Sequence, residues 1–566
     1  DPNYVTVFNH MIQHDFACAG PEAAGRFLAD RSSTPSIRGR RNRGGRFAWG
    51  FLLMVEWFMA PCAFPHDIPL TGPIPPEVHS IELTYADAQT IPTVTLLGRP
   101  DDAGSPPHRP VAPMLDLLPM LEEARVFGLC DGRFLRNAKG SRTVRAELSG
   151  GHGARCDLQI DLRPNGGTLD ILSYATLRLR GQATGSLVMA FEDRDARVKE
   201  GNVPVATVSG PFDVVIPLRQ VARALDLRQV TALVVRTERG DETMTLQQVE
   251  VALDSRPRTQ GTRTGIWIWN VREVLDDPEL PLRICRRVGC SKVLVQMPAL
   301  SDEAQLWVAY VRFFARAHEA GIEAIALDGY PEAIQDPRPL ADKIRQLLRL
   351  MEPRTLAGVQ LDIEPYLLPG FLADERGPRQ FLEAIELMRE AVDGRTRLSM
   401  VIPFWLTSIT VNGRPLAFAV MDRADEVAVM SYRTDLEAVR RIADDTLRYG
   451  DAIGIPVWLA LETTRLAVEH RVVLTRDSRV QLADAILDRA RGRVLLSPFP
   501  SQLPNDVHEG FRIHHRYTVR PEGLTFAGRS LAEVRTAVGH LLERVPNPSF
   551  AGVLLHDLGG IRALTE

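Results

Sequence analysis

The chain has 566 residues, of which 45% are hydrophobic and 24% charged, and its formal net charge is −4. That length exceeds one ordinary hydrophobic core and calls for two or three domains. The charge balance excludes the basic excess expected of a general nucleic-acid binder. Six cysteines are too few for a disulfide scaffold, and without a C-x-x-C pair no structural zinc is expected.

Residues 31–47 (RSSTPSIRGRRNRGGRF) carry six arginines and no acid, and residues 47–64 (FAWGFLLMVEWFMAPCAF) are largely apolar. A basic stretch before a short apolar run reads as a secretory signal, so residues 1–64 are assigned to targeting and the protein to an exported, periplasmic or extracellular location. A single N-terminal membrane anchor is the alternative. No later run is long and apolar enough to span a bilayer. The proline-rich stretch 65–76 (PHDIPLTGPIPP) reads as a linker.

From 77 to 258 the pattern is one of short alternating strands, among them HSIELTYA, TVRAELSG, CDLQIDLRP, GSLVMAFED, PFDVVIPL and MTLQQVEVAL. Gly, Pro, Asp and Asn turns separate them, which predicts an antiparallel, jelly-roll-like β-sandwich. Residues 226–235 (DLRQVTALVV) read as a short helical segment while VTALVVRTE (230–238) also reads as a strand, and Cys130 and Cys156 lie in one expected domain as candidates to pair. Over roughly 130–255 the order of elements resembles the carbohydrate-binding sandwich modules that accompany secreted glycosidases. A structural spacer is the competing reading.

From 262 to 566 strands alternate with helices. GIWIWN (265–270), KVLVQMPA (292–299), IEAIALDGY (322–330), GVQLDIEPY (358–366), RLSMVIPFW (397–405), EVAVMSYR (426–433), IPVWLALET (455–463) and FAGVLLHDL (550–558) are apolar and strand-like. Helical patterns ending in glycine or charged turns connect them. Eight such units predict a TIM (β/α)8 barrel. The stretch 464–530 is longer than one unit and marks an insertion. Cys285 and Cys290 lie five apart on a predicted helix, a spacing awkward for a bridge.

In such a barrel the C-terminal strand ends face the active site. Here they carry Trp267, Trp269, Asp328, Asp362, Glu364, Tyr366, Trp405, Tyr432, Arg433, Glu462 and His556. Asp362 and Glu364 are two apart, so they share one face of the fourth strand, with Gln360 behind them. Crowded carboxyls raise one another's pKa, which keeps a proton available near neutral pH, and flat aromatic faces suit sugar rings.

The run Gly358-Val-Gln-Leu-Asp362-Ile-Glu364 resembles the strand-four signature G-x-D-x-D-x-E of the family 18, chitinase-like glycosidases. Met430-Ser431-Tyr432 is similar to that family's Met-x-Tyr on strand six. The resemblance implies that Glu364 protonates the glycosidic oxygen while Asp362 and Tyr432 hold the substrate's acetamido group, which acts as nucleophile. Gln360 stands where the family has its first aspartate, Ile363 where an aromatic is usual, and Arg433 where an acid or amide is common. Glu364 and Glu462 also occupy the strands that carry acid/base and nucleophile in the large retaining barrel clan, so Glu462 is a second candidate partner.

The expectation is a cofactor-free glycoside hydrolase acting on a polysaccharide or oligosaccharide. The other candidate residues are assigned to substrate binding, and no metal, nucleic acid or stable membrane insertion after processing is expected. One alternative is a lectin-like barrel that binds glycan without turnover. Another is a metal-dependent hydrolase using Asp328, Asp362, Glu364, Glu462 and His556, although Trp267-Ile268-Trp269 stands where such enzymes carry H-x-H.

Overall fold

The computed structural model describes residues 67–70, 78, 80–85, 93–97 and most of 112–565. Residues 1–66, with the expected targeting segment, and short stretches such as 137–142, 150–154, 195–201, 254–262, 477–481 and 503–508 lie outside the described residues. Among the described residues no helix is long and apolar enough to cross a membrane. The chain divides into two units, one of residues 1–104 with 467–520, the other of 105–466 with 521–566.

The second unit contains a closed parallel barrel of eight strands: β1 Thr264–Ile268, β2 Lys292–Gln296, β3 Glu323–Asp328, β4 Gly358–Leu361, β5 Arg397–Pro403, β6 Glu426–Met430, β7 Val457–Glu462 and β8 Phe550–His556. Neighbours pair in chain order, and Thr264 opposite Val553 closes the ring. The connecting helices include α1 Glu279–Val288, α2 Ala304–Glu319, α3 Arg338–Leu350, α4 Arg376–Val392, α5 Leu416–Met421, α6 Leu436–Ile453, α7 Leu531–Arg544 and α8 Leu558–Arg562. Their apolar stripes cover the outward residues of the strands, such as Val359 and Leu361 of β4 and Leu459 and Leu461 of β7. The helices end as the sequence suggests: Gly289 caps α1 and Gly454 caps α6 in the left-handed conformation. The turn at Gly289 also swings Cys290 back, with its N–H on Cys285 O at 2.8 Å, and the two cysteines are disulfide-bonded. The five-residue spacing that looked awkward on a continuous helix is workable because the helix stops between them.

Alternate residues point into the barrel, and there the polar ones find partners on distant strands. Lys292 of β2 reaches Glu426 of β6 at 3.3 Å and lies over the Trp458 ring of β7, 4.1 Å from its centroid. Burial pulls the Lys292 pKa down, and Glu426 opposes that pull. Higher up, the Trp267 indole N–H donates to Gln360 Oε1, and Gln360 Nε2 donates to Ser399 Oγ at 2.9 Å.

The first unit is a seven-stranded antiparallel sheet assembled from two distant parts of the chain. Strands Ser80–Tyr85 and Thr93–Leu97 pair with each other, and the former pairs with Glu469–Arg476 from the insertion. Asp67–Pro69, inside the expected linker, pairs with Arg493–Leu495. Ile81, Leu83, Val472, Leu474, Leu487, Val494 and Phe511 form its core. The expected sandwich boundary at 77 and the expected linker at 65–76 are therefore corrected. The first strands belong with the insertion because the buried guanidinium of Arg471 needs Glu82, 2.9 Å away, as well as Glu469 at 3.0 Å.

The antiparallel sandwich of nine strands packs within the same unit as the barrel. Its axis is the twenty-residue strand Tyr174–Asp193, which pairs with Val203–Pro217 along most of its length. The first half of that strand also pairs with Glu242–Leu253 and the second half with Val230–Thr237, so one strand serves both layers. Val230–Thr237 is the strand expected of VTALVVRTE, and the helical reading of 226–235 fails there because the β-branched run is flanked by strands on both sides. Cys130 and Cys156 form the anticipated disulfide. Tyr174 and Phe191 are core residues. The sandwich is fastened to the barrel helices by side-chain bonds: Arg448 of α6 pairs with Asp170 and donates to Ser173 Oγ, and Arg228 pairs with Asp445 at 2.7 Å. Arg414 and Tyr449 meet the Ala222 carbonyl from the barrel side. Arg448→Ala strands these partners, and urea unfolding is expected to show a loss of about 2 kcal/mol, the range for a bond to a charged group. A loss below a few tenths of that value means the clasp contributes nothing.

Candidate active site

The fourth strand ends in the carboxylates because Pro365 stops the ladder and opens a short 3-10 turn, Pro365–Leu367, with Glu364 at its N-cap. Asp362 N–H donates to Asp328 O at 2.8 Å, which ties the end of β4 to β3. Gly329 allows this approach. A Cβ there would lie 2.0 Å from Asp362 O, and the residue sits at φ +155°. Any side chain at 329 displaces the Asp362 backbone.

Asp362 and Glu364 are half-buried. Burial and the nearby Glu364 push the Asp362 carboxyl well above its ordinary range, while His556 opposes the rise. Burial also raises Glu364, against the Tyr366 hydroxyl, which donates to Glu364 Oε1, and against His556. Oδ1 of Asp362 has no protein hydrogen-bond partner. Both carboxyls are thus pushed to hold their protons above the usual carboxylate range.

Around them stand groups from four other strands. Tyr432, two residues past β6, is buried, and its hydroxyl is raised well above the ordinary tyrosine value by burial and by Glu462, Asp362 and Glu364. His556 ends β8 with its ring 5.9 Å from that of Tyr432 and 5.8 Å from that of Trp267. Its Nδ1 lies 3.0 Å from Glu462 Oε2 and 3.1 Å from Oε1. Glu462 Oε1 also accepts from Thr463 N at 2.8 Å and from Thr464 N and Oγ1, each at 2.7 Å. Thr463 and Thr464 thus hold Oε1, whereas among the described residues Oε2 meets only the His556 ring and accepts no hydrogen bond.

The structure brings Asp362, Glu364, Tyr366, Tyr432, Glu462 and His556 together and separates others from them. Asp328 shares strand parity with the outward-facing Ala324 and Ala326, and its carboxylate pairs with Lys343 of α3. It also accepts Gly329 N–H at 2.8 Å, so it shapes the end of β3 rather than lining the mouth. Trp267 is 1% exposed and uses its N–H on Gln360, which makes it core rather than platform. Trp405 is buried edge-to-face against Tyr366. That leaves Trp269 and Tyr366 as half-exposed aromatics. Arg433 is buried, donates to Tyr432 O at 2.7 Å and lies over the Phe404 ring. Among the described residues, no three His, Cys, Asp or Glu side chains are placed to share one metal ion. The sequence reading missed Lys292, Glu426 and Ser399. The available signal was a charge of opposite sign opening two otherwise apolar strands, KVLVQ and EVAVM.

No family model matches the chain. No curated protein matches it either. Among solved structures, it is similar to a GH18 chitinase from Pseudoalteromonas aurantia, at 13% identity and TM-score 0.31 over 53% of this chain and 98% of that one. It is similar also to a chitinase from Chromobacterium violaceum, at 11% identity and TM-score 0.29 over 53% of this chain and 95% of that one. A third is the joined carbohydrate-binding and xylanase modules of endo-1,4-β-D-xylanase 10B from Clostridium thermocellum, at 10% identity and TM-score 0.25 over 60% of this chain and 80% of that one.

The raised carboxyls have a consequence for stability. In the unfolded chain both titrate in the ordinary range, so the folded protein holds more protons as pH rises above about 4 and loses stability through that window. Asp362→Asn removes one of the two charges. The variant is expected to be more stable than the parent at pH 8, with the difference shrinking toward pH 4 in paired urea titrations. A difference independent of pH contradicts the raised pair.

Proposed function

We propose that the protein is a glycoside hydrolase acting on a polysaccharide or oligosaccharide, with Glu364 as general acid and then general base. The observation that carries this reading is the Asp362–Glu364 pair, half-buried on one side of β4, both carboxyls raised by burial and Asp362 also by the charge of Glu364. A carboxyl with a raised pKa keeps its proton to higher pH and can donate it to a glycosidic oxygen as the bond breaks. Once ionised, it can take a proton from the incoming water.

Asp362 is the assisting group. Its Oδ1, without a protein hydrogen-bond partner, is free to meet the substrate, and when the pair's proton sits on Glu364 the Asp362 charge stabilises the cation that develops at the sugar. With an acetamido substituent as internal nucleophile, Asp362 and Tyr432 would orient that group and the reaction would retain configuration. Glu462 suits the nucleophile role less well, since it is fully enclosed, with its Oε1 held by Thr463 and Thr464 and its Oε2 against His556. Trp269 and Tyr366 supply aromatic surface to the sugar.

Export accords with the two disulfides, Cys130–Cys156 and Cys285–Cys290, which persist in oxidising compartments. The sandwich offers glycan binding a poor platform: it contains no tryptophan, and its one tyrosine, Tyr174, is buried. A brace for the barrel is the better reading of that domain.

Hydrolysis of a panel of polysaccharides and aryl glycosides tests the proposal. Glu364→Gln is expected to lower kcat by about 10²–10⁴-fold on substrates with poor leaving groups. The loss should be much smaller on aryl glycosides whose leaving group needs no proton. An equal loss on both, or none, removes Glu364 from the role of acid. Saturable glycan binding by a parent without turnover would favour the lectin-like alternative.

A further inference from the structure

Glu462 is fully enclosed, and among the described residues its one ion-pair partner is His556, itself 4% exposed. An enclosed carboxylate needs a counter-charge as well as hydrogen bonds. The bonds come from Thr463 and Thr464, and those donors are neutral. No lysine or arginine pairs with Glu462 among the described residues, and the base in contact with it there is the His556 imidazole. His556 Nδ1, facing both carboxylate oxygens, carries its proton toward Glu462.

The other groups around His556 come from strand ends beside it and across the barrel. They are Asp362 and Glu364 from β4, Tyr432 after β6, Trp267 from β1 and its own neighbour Asp557. Gln360, directly below Asp362 on the same face, is neutral, and both ends of its amide are used by Trp267 and Ser399. It can neither exchange a proton with the pair nor balance its charge. His556 is a base whose positive charge acts on both carboxyls of the pair.

We infer that His556, held as an imidazolium by Glu462, is the fixed counter-charge of the Asp362–Glu364 pair and sets the pH range over which that pair shares one proton. The site then carries Glu462 and His556 as a neutral couple and the pair with a single negative charge. Burial alone would favour neutral imidazole, but Glu462, Asp557 and Asp362 outweigh it and the net shift is upward. In turn the imidazolium lowers both carboxyls of the pair from where burial would place them. His556 acts through Glu364, so it is a positioning residue. This inference rests on the reading of Glu364 as proton donor.

Two measurements test it. The first is the pH dependence of kcat/KM for the parent, His556→Gln, Glu462→Gln and the double variant. Loss of the imidazolium should move both limbs of the profile to higher pH, by about one unit each, the lower end of the effect of a nearby opposite charge on a carboxyl. Glu462→Gln should shift them the same way, because burial then neutralises the imidazole, and the double variant should add nothing. Lower rates with unmoved limbs would mean a merely structural role and would overturn the inference. The second is the ¹⁵N-histidine NMR spectrum of the full-length parent, in which the signal lost in His556→Gln should be that of a doubly protonated ring at pH 7.5. A neutral ring at that pH overturns the inference even in an active enzyme. A protonated ring in a protein that cleaves no glycoside would instead sink the hydrolase reading and leave the charge assignment standing.

Discussion

In a closed parallel ladder, every second side chain of eight strands points into a space that water does not fill, and no strand edge is left to relieve the crowding. A polar residue at an inward position therefore has to be satisfied by another inward residue, often from the opposite wall. That constraint organises this barrel in tiers. At the base, Lys292 and Glu426 answer each other across the barrel beside Trp458. In the middle, Gln360 joins Trp267 to Ser399. At the rim, the carboxyls of Asp362, Glu364 and Glu462 share the space with one histidine and two tyrosines. The base and middle tiers close their accounts internally. The rim does not, and an unsatisfied rim is where a substrate can be held.

The same logic separates positioning from chemistry among residues of one type. Asp328, Asp362, Glu364 and Glu462 all end strands, yet their surroundings differ. Asp328 is turned outward and neutralised by Lys343, and Glu462 is enclosed, with one oxygen held by threonines and His556 against the other. Only Asp362 and Glu364 are left facing one another with raised pKa values. Carboxyls arranged this way cost folding stability at neutral pH, a familiar trade in sites that need a proton kept in reserve.

Outside the barrel, the antiparallel parts show how far a strand's partner can lie along the chain. The sheet of the first unit takes strands from residues 67–97 and closes them with strands from 469–519. Its core is small, and the buried Arg471 with Glu82 and Glu469 adds a charge requirement that only this pairing meets. The sandwich, by contrast, is clasped to α6 through Arg448, Arg228 and the Ala222 carbonyl, which makes it part of the barrel's support.

The sequence by itself determined the eight βα units, because period-2 and period-3.6 hydrophobic patterns are local and each repeats within a few residues. It also determined that Asp362 and Glu364 share one face, since strand alternation needs no tertiary information. Tertiary structure alone decided which strand-end residues meet. Asp328 left the site through an outward parity that the glycine after it disguised, and Trp267 became core once Gln360 stood opposite it. His556 acquired its charge partner because β7 and β8 are neighbours in a closed ring. The union of residues 67–97 with the insertion was equally illegible, because alternating strands carry no mark of which distant strand will complete them. Local periodicity fixes what an element is, whereas the enclosed charge and the shape of the closed barrel fix what it is next to.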